Sequence, residues 1–174
     1  MTTMQAALLD AYGPAEALRV GSTVRPSPGP RDVLVRIHAS SVNPVDVKQR
    51  AGVQRIVVRK AMPAILGMDL SGVVEEVGAS VTEFDPGDAV FSSPSHRRPG
   101  TWAEWVAVDA AEVAHKPRSI SHEEAASLPL VALTAWACLV DAASVQAGQS
   151  VLILAGSGGV GSVAVQLARH LGAT

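Results

Sequence analysis

From the N-terminus to about Pro117, short apolar runs alternate with Gly, Pro, Asp and Asn turns, the pattern of a β-rich barrel or sandwich. Within Asp32 to Ser40, strict alternation places Val33, Val35, Ile37 and Ala39 on one strand face and Arg36, His38 and Ser40 on the other. Ser71 to Gly78 and Thr101 to Val108 read as further strands. Asp85-Pro86-Gly87-Asp88 reads as a tight turn feeding Ala89-Val90-Phe91. Asn43-Pro44 predicts a helix start, with Asn43 as N-cap and Pro44 at the first helical position.

The period changes near Pro117 to Ser121. Ser121-His122-Glu123-Glu124 has the form of a capping box, and a helix is expected from about Leu130 to Ala143. A strand over Ser150 to Leu154 follows. In the last helix Val160, Val163, Ala164, Leu167, Ala168 and Leu171 recur at three- and four-residue steps as one apolar stripe, with Gly172 where a C-cap belongs. The expected organisation is a β domain over residues 1–120. Residues 121–174 then hold connecting helices and the first strand–loop–helix of a nucleotide-binding domain.

Between that last strand and helix lies Gly156-Ser157-Gly158-Gly159-Val160-Gly161, which matches the G-x-G-x-x-G dinucleotide fingerprint in its required context. In that reading Gly156 permits the tight turn, Gly158 lets a pyrophosphate approach the backbone, and Gly161 lets helix and strand pack closely. The N–H groups at the helix start, aided by its dipole, would receive the phosphate charge. The plainer reading is a glycine-rich turn without a ligand. The residue that separates NAD from NADP falls about twenty positions past the first glycine, beyond Thr174.

Composition narrows the classes. At 48% apolar and 17% charged residues, the 174-residue chain can bury a core. Its net charge of −2 and the lack of a basic run argue against nucleic acid and anionic membranes. A lone cysteine, Cys138, excludes an internal disulfide framework and suits a reducing compartment. With no secretory signal pattern and no apolar run of spanning length, the expectation is a soluble cytoplasmic protein. Cys138 reads as a small core residue and the scattered histidines as surface groups; Asp46 and Arg50, four apart, read as a helix-surface ion pair.

Six segments taken in order carry a family resemblance: Ser41 to Arg50 (SVNPVDVKQR), Leu66 to Gly72 (LGMDLSG), Gly87 to Phe91 (GDAVF), Gly100 to Trp105 (GTWAEW), Leu128-Pro129 through Ala135, and the loop at Ala155 to Gly161. On these the chain resembles the N-terminal half of the medium-chain dehydrogenase/reductases, in the zinc-independent quinone oxidoreductase branch that includes zeta-crystallin and the alkenal/oxoene reductases. The resemblance implies a mixed β and α/β fold, a GroES-like β-barrel domain followed by a truncated Rossmann domain. It implies an NAD(P)H-dependent enzyme, with NADP (NADPH) favoured over NAD, that transfers hydride to a quinone or an α,β-unsaturated carbonyl. Asn43 and Lys48 are the implied catalytic residues: Asn43 beside the nicotinamide, orienting it or the substrate carbonyl, and Lys48 donating to a developing enolate. Thr134 would line the cofactor cleft, and Gly156, Ser157, Gly158, Gly159, Val160 and Gly161 would hold the phosphates.

Where zinc alcohol dehydrogenases carry a Cys ligand and Gly-His-Glu, this chain has Asn43 and Gly67-Met68-Asp69, and one cysteine cannot build a structural zinc site. No metal is therefore expected. The family's length is about twice this chain's, so the 174 residues by themselves are expected to be inactive. The expected partners are a small quinone or enone and, in the full-length form, a second copy, or else a chain that completes the sheet. Alternatives are an enoyl reductase of polyketide or fatty-acid type, a split-enzyme subunit, and a non-enzymatic GroES-like module.

Overall fold

A computed structural model describes residues 2–56 and 59–174. The chain divides into two compact units, at Ser127/Leu128. This lies beyond the expected 120/121 boundary because the short helix after Ser121 packs on the sheet of the first unit.

In the first unit, β1 (Thr3–Leu9) pairs antiparallel with β2 (Leu18–Val24) and with the short β4 (Ala64–Ile65). A second, five-stranded antiparallel sheet runs in the order β7 (Trp105–Asp109), β3 (Asp32–Ser40), β5 (Leu70–Val77), β6 (Ala89–Ser92), β8 (Val113–His115). The segment before β7 ties the sheets together: Ala7 N–H donates to Trp102 O (2.8 Å), Glu104 N–H to Gln5 O (3.1 Å) and Ile37 N–H to Glu104 O (2.9 Å). The alternation in β3 holds in outcome, with Val33 and Val35 fully buried in a cluster with Leu70, Val74, Val90, Val106 and Val108. Leu34, on the opposite face, is also fully buried, so the start of β3 is covered on both sides. The expected strand from Thr101 starts only at Trp105, because the residues before it serve as the link between sheets.

The pairing of β3 with β5 slips at His38: Ile37 opposes Gly72 and Ala39 opposes Ser71, which leaves His38 as the extra residue of a bulge. Its ring lies 4.5 Å, centroid to centroid, from that of His122, the first residue of α2 (His122–Ala126). Ser121 caps α2 as expected, accepting from Glu124 N–H while Glu124 Oε2 accepts from Ser121 N–H. Ser71 Oγ, fully buried, gives its proton to Val90 O (2.9 Å), so His122 Nδ1 carries a proton and donates to Ser71 Oγ (2.8 Å). His38 is exposed, as expected of a surface histidine, whereas His122 is half-buried, and the bulge brings the two rings together, which sequence spacing does not reveal.

In the second unit, α3 (Pro129–Trp136) continues into a wider π-helical stretch, Ala137–Ala142, close to the expected helix. The α4 helix (Gly159–His170) presents Ala164 and Ala168 to Ala135 and Leu139, and Val151, Ile153, Val163, Leu167 and Leu171 close around them. Ser150 to Leu154 is extended and alternates, with Val151 and Ile153 inward and Leu152 and Leu154 outward at 88% and 81% exposure. It forms no strand, since among the described residues no neighbour supplies a ladder beyond Val151 N–H to Thr174 O and Thr174 N–H to Gln149 O. Cys138 is exposed, not a core residue, because the side of the π-helical stretch that packs inward belongs to Leu139.

Burial, then the neighbouring His38 and Lys116, hold the His122 imidazole below its usual range, while Glu123 pulls the other way. The unfolded chain therefore takes up a proton at higher pH than the folded one, and stability falls as pH drops through the ordinary histidine value of about 6.5. Between pH 7.5 and 5.5 the urea midpoint of the wild type should fall more than that of His122→Gln, which keeps a donor for Ser71 but cannot titrate. Equal falls would remove the pair from the pH response.

Candidate functional site

The Ser41 to Arg50 segment leaves β3 extended and turns into α1 (Pro44–Arg50) at Asn43, whose backbone (φ −112°, ψ 156°) is that of an N-cap. Asn43 N–H donates to Asp46 Oδ2 (2.8 Å), the reciprocal half of a capping box. The Asn43 side chain reaches across to the loop before β5. Its Nδ2 donates to Asp69 Oδ2 (2.7 Å) and to Ser41 Oγ (2.9 Å), and Ser41 Oγ–H donates to the same Asp69 oxygen (2.5 Å). Ser40 Oγ–H donates to Asp69 O (2.7 Å) and lies 2.9 Å from Thr101 Oγ1, and Trp102 Nε1–H donates to Ser41 O (2.9 Å). Asn43, Asp46, Asp69 and Thr101 are all buried.

Gly67 makes this closure geometrically accessible. Its φ of +100° is a left-handed conformation, and a Cβ there would stand 2.5 Å from Thr101 Oγ1 and 2.6 Å from Trp102 Cδ1. The chain can thus bring the Asp69 loop flat against Thr101 and Trp102, where Thr101 N–H donates to Gly67 O and Trp102 N–H to Leu66 O. Gly67→Ala is expected to lower stability by about 2–4 kcal/mol, from backbone strain plus overpacking, read as a shift in urea midpoint.

Electrostatically, two carboxylates meet one amide. Burial pushes the Asp46 carboxyl above its usual range and the charge of Asp69 adds to this, while the bond from Asn43 N–H opposes it. The expected surface ion pair between Asp46 and Arg50 is not formed, because Asp46 faces inward onto Asn43. Both Nδ2 protons of Asn43 are already committed, so the side chain presents an acceptor oxygen to any ligand and has no spare donor. Lys48, on the next turn of α1, is exposed. A recess of about 390 Å³ opens beside α1, with Val42, Val47 and Trp102 as apolar walls and Ser40, Ser41 and Arg50 at its polar edge; neither Asn43 nor Lys48 lines it. Among the described residues, no three His, Cys, Asp or Glu side chains gather as a metal site would require. Ser41 and Asp69, which hold the Asn43 side chain, are not marked by any local sequence signal, because Asp69 lies 26 residues from Asn43.

The second unit holds the other candidate residues. Gly158 is the N-cap of α4 and supplies no side-chain cap, and Ser157, Gly158, Gly159 and Val160 are exposed. The first turn therefore offers N–H groups that no side chain covers. A Cβ at Gly161 would fall 2.1 Å from Ala155 O, so the third glycine does permit the close approach expected of it. The first glycine differs from expectation. The left-handed residue of the turn is Ala155 (φ 54°), not Gly156, and a Cβ on Gly156 would meet nothing nearer than 3.8 Å. Thr134 is exposed on α3 and its Oγ1–H donates to Leu130 O (2.7 Å).

Residues 29–118 match the family model described as the alcohol dehydrogenase GroES-like domain. The chain is 40% identical over 184 aligned positions to a mitochondrial NAD(P)H oxidoreductase of Homo sapiens, covering 95% of this chain and 46% of that protein. It is 44% identical over 156 positions to a zinc-type alcohol dehydrogenase-like protein of Staphylococcus aureus, covering 86% and 45%. Among solved structures, an alcohol dehydrogenase superfamily protein from Novosphingobium aromaticivorans aligns with a TM-score of 0.91 at 47% identity, over 98% of this chain and 51% of that one. A quinone oxidoreductase from Coxiella burnetii aligns with a TM-score of 0.90 at 36% identity, over 99% and 55%. The chain thus spans about half the length of the relatives it matches. With a matched family model over most of the first unit and structural agreement along almost the whole chain, this protein belongs to the alcohol dehydrogenase GroES-like family of medium-chain dehydrogenase/reductases.

Proposed function

We propose that this chain is the N-terminal part of an NAD(P)H-dependent oxidoreductase that delivers hydride to a quinone or an α,β-unsaturated carbonyl without zinc. The observation that carries this reading is the uncapped, exposed N-terminus of α4, held against the preceding turn by Gly161 while Gly156 stays uncrowded. That cradle fits a dinucleotide pyrophosphate: backbone N–H groups from Ser157 to Gly161 would hold it, with the helix dipole aligned toward the charge. The nicotinamide, when bound, would supply the hydride. NADPH is the favoured form, the cytoplasm the proposed location, and Thr134 a further contact in the cofactor cleft.

Asn43 would act as an acceptor toward the cofactor carboxamide or another donor, since polarising a substrate carbonyl would require breaking its bond to Asp69 or Ser41. The expected role in orienting the substrate carbonyl is narrowed accordingly. Lys48, exposed and positively charged, would donate a hydrogen bond or a proton to the enolate oxygen as hydride reaches the β-carbon. The absence of zinc is supported by where Asn43 and Asp69 spend their polar atoms: on each other and on Ser41, in the positions where zinc enzymes of the family carry ligands. The outward Leu152 and Leu154 support a reading in which further strands of the same protein, or a partner chain, cover this face.

Three outcomes are expected. In the longer protein that carries this chain, Gly158→Val should abolish NADPH binding, measured by quenching of cofactor fluorescence, with helical content unchanged by circular dichroism; unchanged affinity would sink the loop assignment. In the longer protein that carries this chain, Lys48→Ala should lower kcat for enone reduction about 100-fold with little effect on the NADPH Kd. The 174 residues alone should not turn over quinone or enone with NADPH, and turnover by them would overturn the assignment of this chain as a part.

A further inference from the structure

A cavity of the first unit lies away from Asn43. It measures about 890 Å³ and opens between the edges of the two sheets. Its size is within the range of small-molecule sites and far beyond what one inorganic ion fills. Its two walls differ in chemistry. Met4, Leu8, Val24 and Ile65 supply an apolar side from the β1–β2–β4 sheet, and Arg59, Lys60, Arg97 and Arg98 supply a cationic side from two loops. Against these four cations stands one lining carboxylate, Asp32, in a chain whose net charge is −2.

The cations have separate duties. Arg98 is paired with Asp32 at 2.9 Å, and this carboxylate is held below its usual range chiefly by that bond. Lys60 Nζ donates to His96 O (2.6 Å) and Arg98 O (3.3 Å), which fastens the two loops together; burial lowers its affinity for a proton. Arg59 and Arg97 are exposed, and neither guanidinium has a side-chain partner among the described residues. Both residues line the cavity, and a guanidinium is suited to bidentate recognition of a carboxylate or phosphate oxygen pair. The apolar wall opposite would gain from a hydrocarbon portion.

We propose that this cavity binds an amphipathic organic anion, an aliphatic chain ending in a carboxylate or phosphate, with the head group on Arg59 and Arg97 and the chain along Met4, Leu8, Val24 and Ile65. The inference does not rest on the hydride-transfer reading, since no residue of α1 or of the glycine loop lines this cavity. Trp105 lines it too, with its indole N–H held by Glu75 Oε2 (2.6 Å), and gives a local reporter.

The test is titration of the full chain with dodecanoate, with dodecyl phosphate as a second arm, followed by calorimetry and by the indole N–H signals in NMR, assigned by Trp105→Phe. Expected is saturable one-to-one binding that shifts the Trp105 signal, weakened at least 10-fold in Arg59→Glu/Arg97→Glu and at least 100-fold for acetate or inorganic phosphate. Tighter binding of dodecanoate than of dodecyl phosphate, or the reverse, identifies the preferred head group within the proposed class. No saturable binding, unchanged affinity in the double variant, equal binding of inorganic phosphate, or a shift confined to Trp136 in the second unit would each overturn the proposal. Both arginines are exposed, so the double variant should keep the wild-type circular dichroism spectrum; if it does not, Arg59→Gln/Arg97→Gln replaces it with the same expected loss.

Discussion

The buried carboxylate of Asp69 is the constraint around which the first unit is arranged. An anion with about 1% of its surface exposed is tolerable only if donors surround it, and the chain supplies them from the exit of β3 through Ser41 and Asn43. Meeting that demand sets the turn into α1, orients the Asn43 amide and fixes the distance between the β3 exit and the β5 entrance. The same loops are clamped from the other side by Trp102, which donates to Ser41 O and packs on Leu9, Ala64 and Leu66. The Asn43 side chain is therefore preorganised by polar bonds within the protein, with both amide protons committed and its oxygen left as an acceptor.

The second unit works on a different principle. Small residues carry it, with Ala135, Ala164 and Ala168 letting α3 and α4 approach and Gly161 letting the start of α4 lie against Ala155. Close backbone packing leaves the first turn of α4 exposed and uncapped. Burial is one-sided, however. The inward residues of the extended segment are covered, whereas Leu152, Leu154 and Val165 are in contact with water at 48% exposure or more. A sheet-type segment with this alternation is stable when neighbours supply both hydrogen bonds and cover.

Much of this was legible along the chain. The helix at Pro44, the capping box at Ser121, the apolar stripe of α4 and the role of Gly161 all rest on local rules, in which spacing determines which side chains share a face or which N–H needs a cap. Family resemblance, carried by six segments in order, agreed with the matched family model. Local rules failed where the outcome depended on a distant partner. Ser150 to Leu154 has a strand's alternation but no ladder, Asp46 turned inward toward Asn43 and away from Arg50, and the positive φ of the glycine turn fell on Ala155.

The sequence by itself determined the periodicities, the caps and the glycine spacing, because each is settled within about one turn of helix or one pair of strand residues. Only the tertiary structure decided which polar groups meet. Asn43 and Asp69, His38 and His122, and the loops bearing Arg59 and Arg97 are far apart in sequence and share no pattern. Different long-range contacts brought them together: one extra residue at His38 re-aimed a ring, one left-handed glycine at Gly67 laid a carboxylate loop against its donors, and Lys60 tied its loop to the carbonyls of His96 and Arg98.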